Sequence, residues 1–420
     1  MPTVHEIVAE GSLDEVRRVL ASGADPDSPA HCGQTLLMAA VASGSIDKMK
    51  LLLEQGADPE LADDFNRTPL GNAVDHGFVE GAELLLGMGV DRGHNPKYPL
   101  KPVEYPEAPP TPLPTDLQGL ISPEEWAETH ASAQELLQEL GDRPKPEPVI
   151  EDAGSVAMLR LLVDYGEDLN QAPEHVKRQF IGLFGEEEYQ PSREDFRCTE
   201  HDFKRGSQRR FGLKNPSRTN NPFWDDMIRL GVDACRASSV FSSVSVSSPV
   251  WCFDRFGDTI TRLLDGRFVQ VGGEHEDYYD EDFCIYNDVV VHDGAGGFDV
   301  YGYPRKVFPP TDFHTATLVD RCVYLIGCLG YPEDRRPGFT PVFRLRLDDW
   351  GIECVETHGE MPGWIFRHRA AFDPDANVIR VSGGSVATSA GLPAEDQLSS
   401  GVAELDLTTL RWRRPPATGL

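Results

Sequence analysis

The sequence predicts a multidomain α + β protein, with an N-terminal α-solenoid followed by an all-β repeat array. Three observations predict it. Glycines near the N-terminus recur every 33 residues. Short apolar runs in the C-terminal half end in glycine at intervals of 55 and 56 residues. No apolar run approaches the ~20 residues of a membrane-spanning helix, so both repeat systems must bury their apolar faces against each neighbouring copy.

The chain has 420 residues, which is room for two or more domains. Hydrophobic residues make up 40% and aromatics 9%, enough to build ordinary cores. The formal net charge is −30 and is uneven: residues 1–170 carry 31 acidic and 11 basic side chains, residues 171–420 carry 38 and 28. Such a surface repels phosphate backbones and anionic lipid. Nucleic acid and membranes are therefore not expected as partners, and a basic protein is. The same charge also serves solubility. The eight cysteines include no C-x-x-C pair and fit neither a disulfide framework nor a zinc site. Free thiols in a reducing compartment are expected, so the cytoplasm is the expected location. The N-terminal MPTVHEIVAEG lacks the basic and apolar regions of a signal peptide.

Each N-terminal repeat reads as a helix pair. In TLLMAA and TPLGNA, Thr35 and Thr68 are placed to cap a helix whose first position accepts Pro69. Gly11, Gly44 and Gly77 close that helix, where a left-handed residue is expected. A second helix follows in SLDEVRRVL, SIDKMKLLL and FVEGAELLL, with apolar positions such as Val16/Leu20, Met49/Leu53 and Ala82/Leu86 on one face. It ends at Gly23, Gly56 and Gly89, and GADP, GADP and GVDR open an extended hairpin.

This pattern resembles the ankyrin repeat, carried by GADPDSPAHCGQTLLMAAVASG and GADPELADDFNRTPLGNAVDHG. A later half-repeat, GSVAMLRLLVDYGEDLN, places Gly154 and Gly166 12 apart, as Gly11 and Gly23 are. The ankyrin domain is thus expected over 1–170, about four repeats with an insertion at 93–150. The insertion begins with a proline-rich stretch, Pro96 to Pro114, and continues into a helix expected over 122–140, with Ser122 and Glu125 as its capping box. That helix is expected to replace or supplement the first helix of the last repeat.

Residues 171–237 read as a helical and basic linker region. VKRQFIGLF and NPFWDDMIRLGVDACRA are amphipathic. Between them KRGSQRRFGLKNPSR (204–218) carries six basic residues and no acid, which suggests docking on the acidic solenoid.

Residues 238–420 hold three segments with one order: a β-rich run, a glycine pair, a loop, and more β. Gly272, Gly327 and Gly383 mark the register. FHTATLVD and RHRAAFDP each set a histidine, His314 and His368, before an alanine-containing strand. Glycine at such a strand end permits close backbone approach. The segments resemble the kelch motif, a four-stranded propeller blade, so the resemblance implies a kelch-like partial propeller. Three blades do not close a ring. A further blade within 218–260, where SSVFSSVSVSSPVWCFDRFGDTITRL alternates, is the expected completion. A homodimer through the propeller edges and an open stack capped by the solenoid are the others.

No nucleophile, phosphate-loop, dinucleotide or H-E-x-x-H signature is present, so no catalytic residue, cofactor or metal is expected. The ankyrin resemblance implies a scaffold or adaptor that binds a protein through its hairpin tips, with a basic effector or toxin as one partner the charge suits. The tip residues are His31, Asp64, Phe65, Asn66 and Arg67, with Phe65 as the exposed anchor. The alternative is a propeller-borne enzyme or metal-dependent ligand site at 274–282. There His275, Asp277 and Tyr279, with Arg335 and Arg336 of the next loop, are the candidate ligand-binding residues. Glu274, His275, Asp277 and Asp280 supply donors for a divalent ion, without EF-hand spacing.

Overall fold

The structure is a computed structural model. It describes residues 2–92, 148–186, 189–244, 249–277, 280–387, 397–398 and 401–415. Two compact units are present, Met1–Pro173 and Glu174–Leu420.

The first unit is a stack of helix pairs: α1 (Val4–Glu10) with α2 (Leu13–Ala21), α3 (Leu36–Ala42) with α4 (Ile46–Glu54), and α5 (Pro69–Asp75) with α6 (Val79–Gly87). The caps read from the sequence are made. Thr35 and Thr68 accept the Met38 and Gly71 N–H groups, and Thr3 and Ser12 close capping boxes with Glu6 and Glu15. Leu36, Leu37, Met49, Leu52, Leu70, Ala73 and Leu85 are buried between pairs. Successive repeats are also bonded directly. The Asp27 carboxylate accepts the Asp58 N–H at 2.8 Å, and one period later Glu60 accepts the Asp91 N–H at 3.1 Å. One expectation fails. Gly44 and Gly77 are left-handed at φ 63° and 64°, but Gly11 is extended at φ −75°. A side chain there would press on the Ile7 carbonyl oxygen, so close packing, not handedness, requires that glycine.

The fourth repeat is incomplete. Its second helix, α7 (Val156–Asp164), is capped by Ser155 and packs on α6. Where a first helix would stand, the single 3-10 turn Val149–Asp152 buries Val149 and Ile150 against α5. The carbonyl of Arg92, just before the insertion, accepts the Val149 N–H at 3.4 Å and so brings its two ends together, and the Arg92 guanidinium pairs with Glu167 at 3.4 Å. The helix expected over 122–140 lies outside the described residues.

The second unit begins with four short helices, α8 (Glu174–Phe180), α9 (Glu200–Gly206), α10 (Pro222–Leu230) and α11 (Ala234–Val240). The last two meet the helical reading of NPFWDDMIRLGVDACRA; of the alternating stretch expected as a further blade, α11 turns Ser238–Val240 into helix and Thr259–Arg262 is strand. Asn221 and Asp233 accept the Phe223 and Arg236 N–H groups and start helices. Phe223, Met227 and Leu230 then fall on one buried face, and Gly231, left-handed at φ 66°, ends α10. Strand structure in this stretch is confined to the edge strand Ser217–Thr219 and to Thr259–Arg262, both part of the first sheet. Residues 245–248 lie outside the described ones.

Among the described residues five sheets follow, three of them large and mainly antiparallel, beside a three-stranded and a two-stranded one. The first orders Thr259–Arg262, Phe268–Val271, Val289–His292 and Phe298–Gly302, with Ser217–Thr219 added at its far edge. The second holds Thr315–Val319, Cys322–Ile326, Val342–Arg346 and Ile352–Cys354. The third holds Arg369–Asp373, Val378–Ser382, Val402–Asp406 and Arg411–Arg413, with His358–Gly359 parallel to its last strand. Val269, Val271, Val289 and Val291 of the first sheet pack on Val323, Leu325 and Leu345 of the second. Tyr324, Ile326 and Val342 of the second pack on Ile379, Val381, Leu405 and Trp412 of the third.

The glycines sit at the joints. A side chain on Gly272 would overlap the Thr311 carbonyl oxygen, and one on Gly327 the Ile365 carbonyl oxygen. The next residue donates to the same oxygen: Gly273 N–H to Thr311 at 2.8 Å, Cys328 N–H to Ile365 at 3.0 Å. The second position differs between copies: Gly273 is left-handed at φ 88° and a side chain there would press on Asp258, whereas Cys328 is not left-handed and carries its side chain.

Among the described residues the sheets form an open stack. The outer face of the first is covered from within its own unit: Phe180 of α8 packs edge-on against Phe268 at 5.4 Å, and Trp224 of α10 stacks on Trp251 at 4.4 Å. The basic run 204–218 is fastened to the sheets. Gly212 N–H bonds to the Tyr303 carbonyl at 3.1 Å, and the Asn215 amide bonds both backbone groups of Ile352, at 2.7 and 2.9 Å. Among the described residues no helix is long and apolar enough to cross a membrane.

Candidate functional site

In the first unit the two hairpins between helix pairs share one local design. Ala30 N–H bonds to the Gln34 carbonyl and, 33 residues on, Asp63 N–H to the Arg67 carbonyl. Gly33 and Asn66 hold the matching left-handed position, at φ 73° and 61°; asparagine is among the few side chains that tolerate it. Asp63 organises the second tip. Its buried carboxylate accepts the Phe65 and Arg67 N–H groups, both at 2.9 Å, and the Arg67 Nε at 3.0 Å. Asp64 donates its N–H to the Cys32 carbonyl at 3.0 Å and so ties the second tip to the first. His31 opens the 3-10 turn His31–Gly33.

Phe65 is left outside this framework. It is 64% exposed, and the Arg67 guanidinium lies 5.5 Å from its ring centroid. A rigid backbone thus presents an aromatic ring flanked by a cation and by the exposed Asp64. Such an arrangement can enter an apolar pocket on a protein at little conformational cost.

In the second unit the residues near 274–282 meet a buried network. Asp288 and Arg255 form an ion pair at 2.5 Å, their side chains 8% and 2% exposed. Trp251 Nε1 donates to the same carboxylate at 3.1 Å. The guanidinium lies 3.6 Å from the Tyr286 ring centroid and donates to the Gly272 and Cys252 carbonyls. Tyr286 accepts the Cys252 N–H at 2.9 Å, which leaves its own proton for His275 Nδ1 at 2.5 Å. His275 therefore carries its proton on Nε2. Burial first, and Arg255 second, push this histidine down to about 4, so it is neutral at physiological pH.

Of the ligand candidates, His275 and Arg335 are buried and engaged in the fold. Arg335 Nε bonds to the Leu329 carbonyl at 3.0 Å. Arg336 is exposed, near the Phe339 ring. Asp277 ends the strand Glu274–Asp277, and Tyr279 lies outside the described residues. Asp312, which the sequence did not single out, joins this region: its carboxylate accepts the Gly330 N–H at 2.7 Å, and burial pushes its acid up. Among the described residues no three His, Cys, Asp or Glu side chains gather as metal ligands.

His314 and His368 are joints between sheets. Thr259 Oγ1 bonds to His314 Nε2, and one repeat later Thr315 Oγ1 bonds to His368 Nε2, both at 2.9 Å. Burial pushes the two imidazoles down to about 3 and about 4. The threonines were missed in the sequence, although Thr315 directly follows His314. The signal was there: the repeat joins a threonine in one copy to a histidine in the next.

Residues 4–95 match the family model of ankyrin repeats, in three copies. No curated protein matches the chain. The N-terminal part is therefore an ankyrin-repeat scaffold of the kind that serves protein–protein interaction.

Proposed function

We propose that this chain is an adaptor that grips a protein partner on its second ankyrin hairpin, with Phe65 as the anchor and Asp64, Asn66 and Arg67 around it. The observation that carries this reading is the 64% exposure of Phe65 on a backbone fixed by Asp63. An exposed aromatic ring that contributes little to its own fold is kept at a cost in solubility, which contact with a partner offsets. The 31 acidic against 11 basic side chains of residues 1–170 favour a basic partner.

The strand-rich unit is best read as kelch-like. Support comes from three four-stranded antiparallel repeats, glycine at matched strand ends, and side-chain locks from each repeat to the next. Its role in this reading is to present a second surface on the same adaptor. Eight cysteines without a disulfide among them suit the cytoplasm.

Phe65→Ala is expected to leave stability within about 0.5 kcal/mol, because the ring is exposed. It is expected to weaken partner capture by about tenfold or more, the usual effect of removing an aromatic anchor. The measurement is affinity capture from lysate by the full chain and by the variant, at about 50 mM and about 500 mM salt, where the screening length falls severalfold. Identical captured proteins from both chains would sink the anchor; capture indifferent to salt would remove the basic partner.

A further inference from the structure

The outermost face of the third sheet is built differently from the two faces before it. Each earlier sheet receives its successor through the same joint. Gly272 and Gly273 cradle the Thr311 carbonyl, and Gly327 and Cys328 cradle that of Ile365. Three residues beyond each carbonyl comes the histidine that bonds the previous sheet's threonine, His314 to Thr259 and His368 to Thr315.

The third copy of the joint has no occupant among the described residues. No heavy atom of the described residues lies within 4 Å of where a side chain on Gly383 would start. Gly384, the counterpart of Gly273 and Cys328, donates its N–H to no described carbonyl. A cavity opens here, lined by Ile365, His368, Ser382, Gly383, Val402 and Arg414. His368, only 6% exposed, is one of the lining residues; its buried Nδ1, like that of His314, has no hydrogen-bond partner among the described residues.

The chemistry of the face has also changed. Cross-strand pairing sets Arg369, Ser382 and Val402 in one row and Ala371, Arg380, Glu404 and Arg413 in the next. The second sheet has Thr315, Ile326 and Val342, then Thr317, Tyr324, Arg344 and Glu353, at the matching places. Arg369 stands where the threonine lock would be, and Arg380 stands where the second sheet packs Tyr324 on its successor. The carboxylates of this face are already engaged: Arg380 pairs with Asp373 at 2.6 Å and with Glu404 at 2.8 Å, and Arg413 with Glu404 at 2.8 Å. Arg369 and Arg414, both exposed, have no ion-pair partner among the described residues.

We propose that this face is a docking site for an extended acidic peptide, one backbone carbonyl of which takes the Gly384 N–H while a neighbouring carboxylate pairs with Arg369 or Arg414. The cradle selects extended backbone, because both carbonyls that fill it elsewhere lie in the segment leading into a strand. The uncompensated arginines select acidic side chains, against the overall charge of −30. A second copy of this chain does not supply the occupant. The corresponding face of its first sheet is covered by Phe180 and by Trp251 with Phe253. Asp258 stands there in place of the histidine, buried and held by Gln270 Nε2 at 2.6 Å.

The test uses the full chain, a fluorescein-labelled peptide of alternating Glu and Val, and its Lys–Val counterpart, read by anisotropy at about 150 mM salt to limit long-range repulsion. The Glu peptide is expected to bind, the Lys peptide not. Arg369→Glu combined with Arg414→Glu, both exposed positions, is expected to weaken Glu-peptide binding by tenfold or more with an unchanged melting curve. Three outcomes would overturn the proposal: no Glu-peptide binding up to millimolar concentration, equal binding by the double variant, or equal binding of the Lys peptide. Light scattering that shows a dimer dissociated by the same two substitutions would also overturn it, by assigning the face to a second copy.

Discussion

Asp288→Ala is expected to destabilise the strand-rich unit by about 3–5 kcal/mol, because it leaves the Arg255 guanidinium buried without a counter-ion. The pair lies at 2.5 Å with both side chains nearly inaccessible. Arg255 cannot escape by losing its proton, and it is held in place by the Gly272 and Cys252 carbonyls and the Tyr286 ring. The loss spreads because Trp251 also loses its acceptor. Five of the six tryptophans lie in Glu174–Leu420, so urea unfolding followed by tryptophan fluorescence reports this unit above the other. Replacing both partners, as Arg255→Met with Asp288→Leu, is expected to recover most of the loss, since no uncompensated charge remains. A loss below about 1 kcal/mol for Asp288→Ala would show that water reaches Arg255 and that the pair is not an anchor.

The two histidine joints make the stack acid-sensitive. His314 and His368 are pushed down to about 3 and about 4 in the folded chain, against about 6.5 when unfolded. Between those values the unfolded chain binds more protons, so stability is fully present above about pH 6.5 and falls as the pH drops toward 4. At pH 5 each histidine is expected to have withdrawn about 2 kcal/mol relative to pH 7, and the two together about 4 kcal/mol. Asp254 acts in the opposite sense, since burial pushes it up to about 6; it is common to wild type and variant and cancels in their difference. The measurement is urea unfolding of the wild type and of His314→Gln with His368→Gln at pH 7, 6 and 5. The wild-type advantage at pH 7 is expected to shrink by about 4 kcal/mol by pH 5. An advantage that stays constant with pH would mean that neither imidazole is held neutral.

The helices of the first unit were legible because local and stacking signals coincide there. Thr35, Ser45 and Thr68 cap, and the apolar spacing that follows puts Met49, Leu52 and Leu85 inward. In 218–260 the amphipathic spacing of NPFWDDMIRLGVDACRA made its helices legible, and Asn221 and Asp233 cap them; the alternating serine and valine that follow are weaker evidence, and α11 runs on over Ser238–Val240. Phe65 was legible as a candidate because it breaks the polar run of a hairpin tip. Its exposure required the fold, since a ring at that point could equally have packed on the neighbouring hairpin.

The sequence by itself determined the two repeat periods, the caps, the glycine joints and the placement of His314 and His368, because each depends on residues whose backbone or side-chain chemistry acts locally and recurs. Only the tertiary structure decided what those residues meet. Asp288 finds Arg255 33 positions away, and Thr259 finds His314 across 55. The third sheet ends in arginines and an open cradle where its predecessors end in a partner. Such pairings depend on which surfaces pack together, and packing is a property of the whole chain that no local pattern encodes.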